Sequence, residues 1–313
     1  MARPGDLPLI APMLAAPARQ LPADEERWSA EFKWDGARTL AYIVAGAVVL
    51  RSRGGLDVTA TYPELARALA AAVPRRSLIL DGEAVALDGP RPSFARLQRR
   101  MHVSRPGSSL VTAVPVTYMV FDLLYEAGRL VTSRPYEQRT ARLGELGIES
   151  PGVSVPPAFP RDAAAVLAAS RDLGIEGIVL KRLTSAYQPG RRSLDWLKIR
   201  HMAAEDLLIG GWLPGSGYRS ALAGAVLVGR TGPAGLEYAG QVGSGFAEAE
   251  RRQLTARLEQ IEQPASPFAA GPPASITRRA RWVRPVFTAE VTYAELTPGG
   301  RLRHPVWRGL RAG

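Results

Sequence analysis

Apolar and polar positions alternate along much of the first two hundred residues, which marks this part of the chain as strand-rich. In WSAEFKW, Trp28, Ala30 and Phe32 fall on one face and Ser29, Glu31 and Lys33 on the other. A strand here holds Glu31 and Lys33 side by side above a core. TLAYIVAGAVVLRSR predicts a hairpin turning near Ala45 and Gly46 and ending in Arg51 and Arg53. PELARALAAA predicts a helix with Pro63 in its first turn. SLILDGEAVALD reads as a strand with Ile79, Asp81, Glu83 and Val85 on one side, and VTYMVFDLLY as a central strand, apolar on both faces. PYEQRTARLGELG and RDAAAVLAASRDLG are helices that finish at glycines. EGIVLKR and LDWLKIR are strands; in the second, Leu197 and Ile199 face one way while Trp196, Lys198 and Arg200 face the other. Apolar residues beneath and two cations above would suit an anion pocket, although this segment alone reads rather as an ordinary half-solvated edge strand. Residues 1–26 carry Pro4, Pro8, Pro12, Pro17 and Pro22 and should run extended or irregular.

After about residue 202 the texture changes. Short β-like runs (DLLIGGWLPG, AGAVLVGR, GLEYAGQVGSG, RWVRPVFTAEVTYAEL, RLRHPVWRGLR) are separated by glycine and proline. One helix interrupts them, with Leu254, Leu258 and Ile261 on one face, and QPASPFAAGPPAS after it reads as a loop. Five short strands and one helix fit an OB-type barrel, a common oligonucleotide-binding module. The expectation is an α+β chain of two domains, 1–202 and 203–313.

Charge narrows the partners. Lys+Arg number 40 against 29 Asp+Glu, a net charge of +11. Such a balance points to a polyanion, most often nucleic acid. The positive residues cluster: from Gly89 to Phe121 there is no acid but there are Arg91, Arg96, Arg99, Arg100 and Arg105, and from Gly271 onward eight arginines face only Glu290 and Glu295. Only three of the 40 basic residues are lysines, Lys33, Lys181 and Lys198. Arginine cannot serve as an amine nucleophile, whereas lysine can when it is neutral. The chain has no cysteine, which excludes disulfides, thiolate metal sites and cysteine nucleophiles. His102, His201 and His304 are far apart, so a structural zinc site is not expected. No apolar run approaches the ~18 residues that span a bilayer, and the proline-studded start lacks the apolar stretch of a secretory signal. The expected location is the cytoplasm, at the nucleoid, with no membrane partner.

No Walker A sequence, GxGxxG or GxSxG is present. What remains is Lys33-Trp34-Asp35-Gly36-Ala37-Arg38, a lysine at a strand end before a glycine turn with a second cation in reach. KWDGAR resembles motif I of the covalent nucleotidyltransferases, the superfamily of ATP-dependent DNA ligases, RNA ligases and capping enzymes. Further segments resemble the remaining motifs in the family's order: RSRGG at 51–55, LDGEAV at 80–85, MVFDLLY at 119–125, EGIVLKR at 176–182, WLKIR at 196–200 and RLRHPVWRGLR at 301–311. The resemblance covers nearly the whole chain. It is closest to bacterial ATP-dependent DNA ligases, both the free-standing backup type and the ligase module of end-joining enzymes.

That resemblance implies an adenylation domain of antiparallel sheets with flanking helices, followed by an OB-fold barrel. It implies a ligase that seals nicked double-stranded DNA in repair, using ATP and a divalent cation (Mg2+ or Mn2+) and acting as a monomer. Ku or a repair polymerase are the partners it suggests. Lys33 would form a lysyl-AMP, Glu31 would seat the adenine and Phe121 would stack on it, although Phe121 could equally be a core aromatic. Arg38 and Arg53 would contact the ribose and later the nick 5′-phosphate. Glu83 would bind the ribose hydroxyl or a metal, and Glu176 would support the metal. Lys198 and Arg192 would hold the α-phosphate, and Arg303 and Arg311 would orient the pyrophosphate. Asp35 is read as a site residue, Asp81 as either site or scaffold, and Lys181 as peripheral. Arg200 stands where the family usually has lysine, keeping the charge but changing the geometry. The acid that commonly follows the last motif is absent, which implies a less efficient first step. With no large N-terminal DNA-binding domain in 313 residues, the nick would be held by the two domains and by basic stretches such as 91–105, so binding should be salt-sensitive. The rival readings are an RNA ligase or capping-type nucleotidyltransferase, and a catalytically idle nucleic-acid-binding module.

Overall fold

The computed structural model describes residues 3–217, 220–297 and 299–311; Ala312 and Gly313, where the end of the last motif was weighed, lie outside it. The chain divides into two compact units after Arg200. Among the described residues no helix is long and apolar enough to cross a membrane.

The first unit is built on two sheets. The larger runs Ala47–Ser52, Ala37–Val44, Ser77–Asp88, Val116–Glu126 and Arg129–Leu130, antiparallel throughout, with two short strands added at its margins. The smaller orders Leu14–Pro17, Arg192–Arg200, Gly177–Arg182, Trp28–Phe32 and Phe159–Pro160. Side-chain alternation sorts residues into three layers. Ala41, Ile43, Leu78, Leu80, Ala84 and Val120 pack outward from the large sheet against the helix Pro63–Ala72, where Leu65 and Leu69 are fully buried. Trp28, Ala30, Ile178, Leu180 and Ile199 pack outward from the small sheet against Ala163–Asp172. Leu40, Tyr42, Ile79, Leu124, Tyr187 and Trp196 fill a third cluster that joins the two sheets. Parity then puts the polar members of the same strand faces (Arg38, Asp81, Glu83, Glu31, Lys198) on this inner side.

The basic segment after Gly89 is not all surface. It contains two helices that the sequence reading did not place, Phe94–Met101 and Ser108–Ala113, the first capped by Ser93, whose side chain accepts from the Arg96 amide. Arg100 is fully buried, donating to the Val114 and Thr61 carbonyls and to Glu64 at 2.9 Å. That correction removes one cation from the expected phosphate track.

Among the described residues the second unit holds a sheet of eight strands and a two-stranded one, Glu295–Leu296 with Leu302–Arg303, rather than five strands. Ala203–Pro214 pairs with Ala223–Gly232, Arg281–Val283 and Thr288–Tyr293; Gly235–Val242 and Val306–Leu310 extend the order, and two short strands complete it. The Trp307 amide donates to Ser244 O at 2.9 Å, linking the last strand to the turn that follows Gly235–Val242. The single long helix, Glu248–Glu259, places Leu254 and Leu258 in a core with Trp212, Val228, Val291 and Trp307. The stretch read as a loop instead holds the strand Phe268–Ala270 and the short helix Ala274–Thr277. Phe268 is the reason: it is buried against Tyr238 and Trp282 and pins the segment down.

Candidate active site

Lys33 lies on the connection between the two sheets of the first unit. The strand Trp28–Phe32 belongs to the small sheet, Ala37–Val44 to the large one, and residues 33–36 cross from one to the other. The Lys33 amide donates to Gly177 O at 2.9 Å, so the lysine still follows the small sheet's register. The turn then needs Gly36. A Cβ there would sit 2.3 Å from Ala84 O and 2.9 Å from Glu83 Cγ, distances no real side chain occupies. Gly177 is constrained in the same way: its φ is +149° and a Cβ would lie 2.0 Å from Ile199 O. Both glycines bring backbone close to the carboxylates of the site.

A cleft of about 210 Å³ opens here. Its walls include Glu31, Lys33, Arg38, Arg53, Glu83, Phe121, Arg192, Lys198 and Arg200, so nine residues singled out in the sequence converge on one cavity. Glu176 touches it through its partners: it contacts the Lys33 ammonium, and its Oε1 lies 2.5 Å from Arg200 Nε. Arg303 and Arg311 belong to the second unit, where Arg303 contacts Glu295 and Arg311 Nε lies 2.8 Å from Asp206 Oδ1.

Two electrostatic environments share the cleft. Along the strand Arg192–Arg200, Arg192, Lys198 and Arg200 line the cavity together with Lys33 and Arg53. Burial and then the neighbouring Arg200, Arg192 and Lys33 pull the Lys198 ammonium below its ordinary range. A cation cluster that disfavours its own charge is relieved by a bound polyanion. Opposite it, burial pushes the Glu83 carboxyl up to about 7 against the opposing pull of Arg38 and Lys33. Arg38 is held by Asp81, with Nε and Nη2 each 2.6 Å from a carboxylate oxygen, and Tyr187 Oη donates to the same Asp81 at 2.6 Å. Although burial works against the guanidinium charge, Asp81 keeps it firmly protonated. Asp81 is fully buried and is therefore the scaffold beneath Arg38.

Lys181 is not peripheral. It is 1% exposed, and Nζ lies 2.7 Å from Glu31 Oε1 and 3.2 Å from Phe121 O. It also sits 4.5 Å from the ring centroids of both Phe121 and Trp196. The sequence carried the signal: Ile178 and Leu180 take the outer face of their strand, which leaves Val179 and Lys181 on the inner face with Glu31 and Lys198. Trp34 and Trp196 also line the cavity and were not singled out. The Trp196 indole nitrogen is buried without a hydrogen-bond partner.

A profile of the ATP dependent DNA ligase domain matches residues 12–200, and one of the ATP dependent DNA ligase C terminal region matches residues 219–313. The chain belongs to the ATP-dependent DNA ligase family. It is 42% identical over 303 residues to the multifunctional non-homologous end joining protein LigD of Mycobacterium bovis, covering 96% of this chain and 38% of that protein. The chain thus spans well under half the length of that relative. Among solved structures it resembles the ligase domain of M. tuberculosis LigD, at 41% identity and a TM-score of 0.58, over 96% of this chain and 95% of that one. A mycobacterial DNA ligase D complexed with ATP and MES is similar at 41% identity and a TM-score of 0.59, with the same coverage. The fold of this ligase-family chain is accordingly a nucleotidyltransferase unit followed by an OB-fold unit.

Proposed function

We propose that this chain is the catalytic module of an ATP-dependent DNA ligase that seals nicks through a lysyl-AMP and a DNA-adenylate. The observation that carries the reading is the placement of Lys33 in one cleft with the cations Arg53, Arg192, Lys198 and Arg200 and with Glu31 and Phe121. The cations suit a triphosphate and the carboxylate with its aromatic neighbour suits a base. Residues 1–202 act as the adenylation domain and 203–313 as the OB domain.

In this reading Lys33 attacks the α-phosphorus of ATP; the new N–P bond forms as the bond to pyrophosphate breaks. The amine must first lose a proton, and the Glu176 carboxylate in contact with Nζ is placed to take it or steer it away. Lys198 and Arg192 neutralise the α-phosphate oxygens, and Arg200 braces Glu176. AMP then passes to the 5′-phosphate of a nick, steadied by Arg38 and Arg53, and the 3′-hydroxyl displaces it. Arg303 and Arg311 are assigned to the pyrophosphate leaving group. Nicked duplex DNA is the acceptor, and the end-joining relatives make Ku and a repair polymerase the partners to test.

A divalent cation fits the donors present. Mg2+ takes one or two carboxylates and completes its shell with phosphates and water. Glu83 and Glu176 would hold it, and a Glu83 carboxyl raised to about 7 by burial gains from a neighbouring positive ion. When bound, the cation would supply charge neutralisation at the phosphates.

The deciding experiment is intact mass of the purified protein, first stripped with pyrophosphate, after incubation with ATP and Mg2+. A gain of one AMP that pyrophosphate reverses and Lys33→Ala lacks supports the reading. No gain with ATP or GTP refutes it in favour of an idle binding module.

A further inference from the structure

Every lysine of the chain, Lys33, Lys181 and Lys198, lines the one cleft, and all other basic side chains outside the three histidines are arginines. A guanidinium stays charged at any ordinary pH and does not act as an amine nucleophile. Side-chain amine chemistry is therefore confined to this cavity. The three amines are held differently. Lys181 is buried, with Nζ 2.7 Å from Glu31 Oε1, and the Lys33 ammonium is in contact with Glu176. Lys198 is half-buried and, among the described residues, forms no ion pair.

Lys198 sits at the middle of the small sheet, in register with Val179 on one side and Pro17 on the other, so its backbone is fixed from both edges. Arg53 and Arg192 line the same cleft and, among the described residues, likewise lack an ion-pair partner. A small anion is repelled where Glu31 and Glu176 stand against Lys181 and Lys33. It is attracted where the positive charge is unmatched, at Lys198. Burial and its cationic neighbours also pull the Lys198 ammonium below its ordinary range, which raises the share of neutral, nucleophilic amine.

We propose that Lys198 is a modification site, at which a small acyl phosphate docks its phosphoryl group among Arg53, Arg192 and Lys198 and transfers its acyl group to Nζ. An acyl phosphate carries its charge one bond from its electrophilic carbon, so holding the phosphoryl group brings that carbon to the amine. In an acyl thioester of coenzyme A the phosphates lie far from the carbonyl, and the same cations would not deliver it. The neutral amine adds to the acyl carbon; the C–N bond forms as the C–O bond to the phosphoryl group breaks, and the leaving phosphate takes the surplus proton. The resulting amide is uncharged. It removes one cation assigned to the α-phosphate and so switches off lysyl-AMP formation. That consequence rests on the reading of the cleft as a nucleotide site, whereas the modification does not.

The test incubates the pyrophosphate-stripped protein with acetyl phosphate and follows each lysine by peptide mass mapping. Lys198 should be acetylated at least about tenfold faster than Lys33 or Lys181, a modest gain for a donor held beside its target. The rate should saturate with acetyl phosphate and fall when inorganic phosphate competes, and acetyl-coenzyme A at the same concentration should label far more slowly. Lys198→Arg, checked for folding by circular dichroism, should gain no acetyl group on that timescale. Comparable rates at the three lysines, labelling of Lys33 first, indifference to phosphate, or equal labelling by the thioester would overturn the proposal. Protein acetylated at Lys198 should then fail to gain AMP from ATP and Mg2+, while mock-treated protein gains it; uptake at the unmodified rate would overturn the switch. Should the mock-treated protein also take up no AMP, the parent reading falls and the acetylation map stands, so the two failures are distinguishable.

Discussion

Arg38 and Asp81 lie diagonally across adjacent strands and form a two-pronged pair, Nε to Oδ1 and Nη2 to Oδ2, both at 2.6 Å. The aspartate is fully buried and the arginine reaches the cleft, so the pair transmits the rigidity of the core to a cation at the site. Asp81→Asn keeps the shape and removes the compensating charge. Breaking one side of a buried pair costs about 3–5 kcal/mol, and Tyr187 loses its charged acceptor as well. Thermal unfolding should therefore shift down by roughly 10 °C, together with weaker ATP binding by calorimetry. An unshifted midpoint would show that Asp81 carries no structural charge.

Glu176 meets two cations at once, Lys33 and Arg200. Glu176→Gln should slow lysyl-AMP formation by about a hundredfold, a usual scale for losing a positioned acid or base. ATP affinity, read separately by filter binding in a Lys33→Ala background, should be less affected. Equal losses in both measurements would place Glu176 in binding alone.

Not every arginine in the basic stretch 91–105 can meet DNA. Arg100 is sealed beneath Thr61, Glu64 and Val114, whereas Arg99 and Arg105 are exposed. Arg100→Met should destabilise the protein by about 3 kcal/mol, since it strands the Glu64 carboxylate and two carbonyls. It should leave the salt dependence of nick binding unchanged. Arg99→Ala and Arg105→Ala should do the reverse, each lowering the slope of log affinity against log salt by about 1 if it meets a phosphate. Slopes identical to wild type for both would move the DNA track elsewhere.

Buried tyrosines should make the first unit sensitive to alkali. Burial pushes Tyr62 up to about 12, and burial together with buried acids raises Tyr118, Tyr136 and Tyr187 well above their ordinary value. The folded state holds these protons longer than the unfolded chain does. Their contribution to stability is thus complete below about pH 10, the unfolded value, and is lost as the pH climbs through the folded values. Tyrosinate absorbance followed alongside circular dichroism should show part of the nine tyrosines ionising only as the structure is lost. Titration of all nine near pH 10 in a still-folded protein would contradict this.

The resemblance to the ligase motifs singled out the candidate site residues, and period and parity told which of them share a strand face. The strand reading of SLILDGEAVALD put Asp81 and Glu83 on one face, and LDWLKIR put Trp196, Lys198 and Arg200 on another; both faces turn inward. Lys181 was misjudged although the same parity applied, because EGIVLKR was read for its leading glutamate and not for the face of its lysine. Helix Phe94–Met101 was missed because arginines crowd it and only Leu97 and Arg100 are buried, so its apolar stripe is too thin to read. The strand Phe268–Ala270 was missed because proline and alanine surround one anchoring aromatic, whose partners Tyr238 and Trp282 lie elsewhere in sequence. Long-range contacts decide such short elements, and no local pattern encodes them.

The crossing made by residues 33–36 has a practical consequence. A chain with either sheet unformed would have the Lys33 amine tethered at one end only, away from Glu176, Lys198 and Glu83, which come from different segments of the chain. On the proposed lysyl-AMP reading, covalent labelling at Lys33 would therefore count molecules in which both sheets have closed around the connection. The fraction of a preparation that takes up nucleotide would then be a direct census of correctly folded protein, sharper than any spectroscopic average over helices and strands.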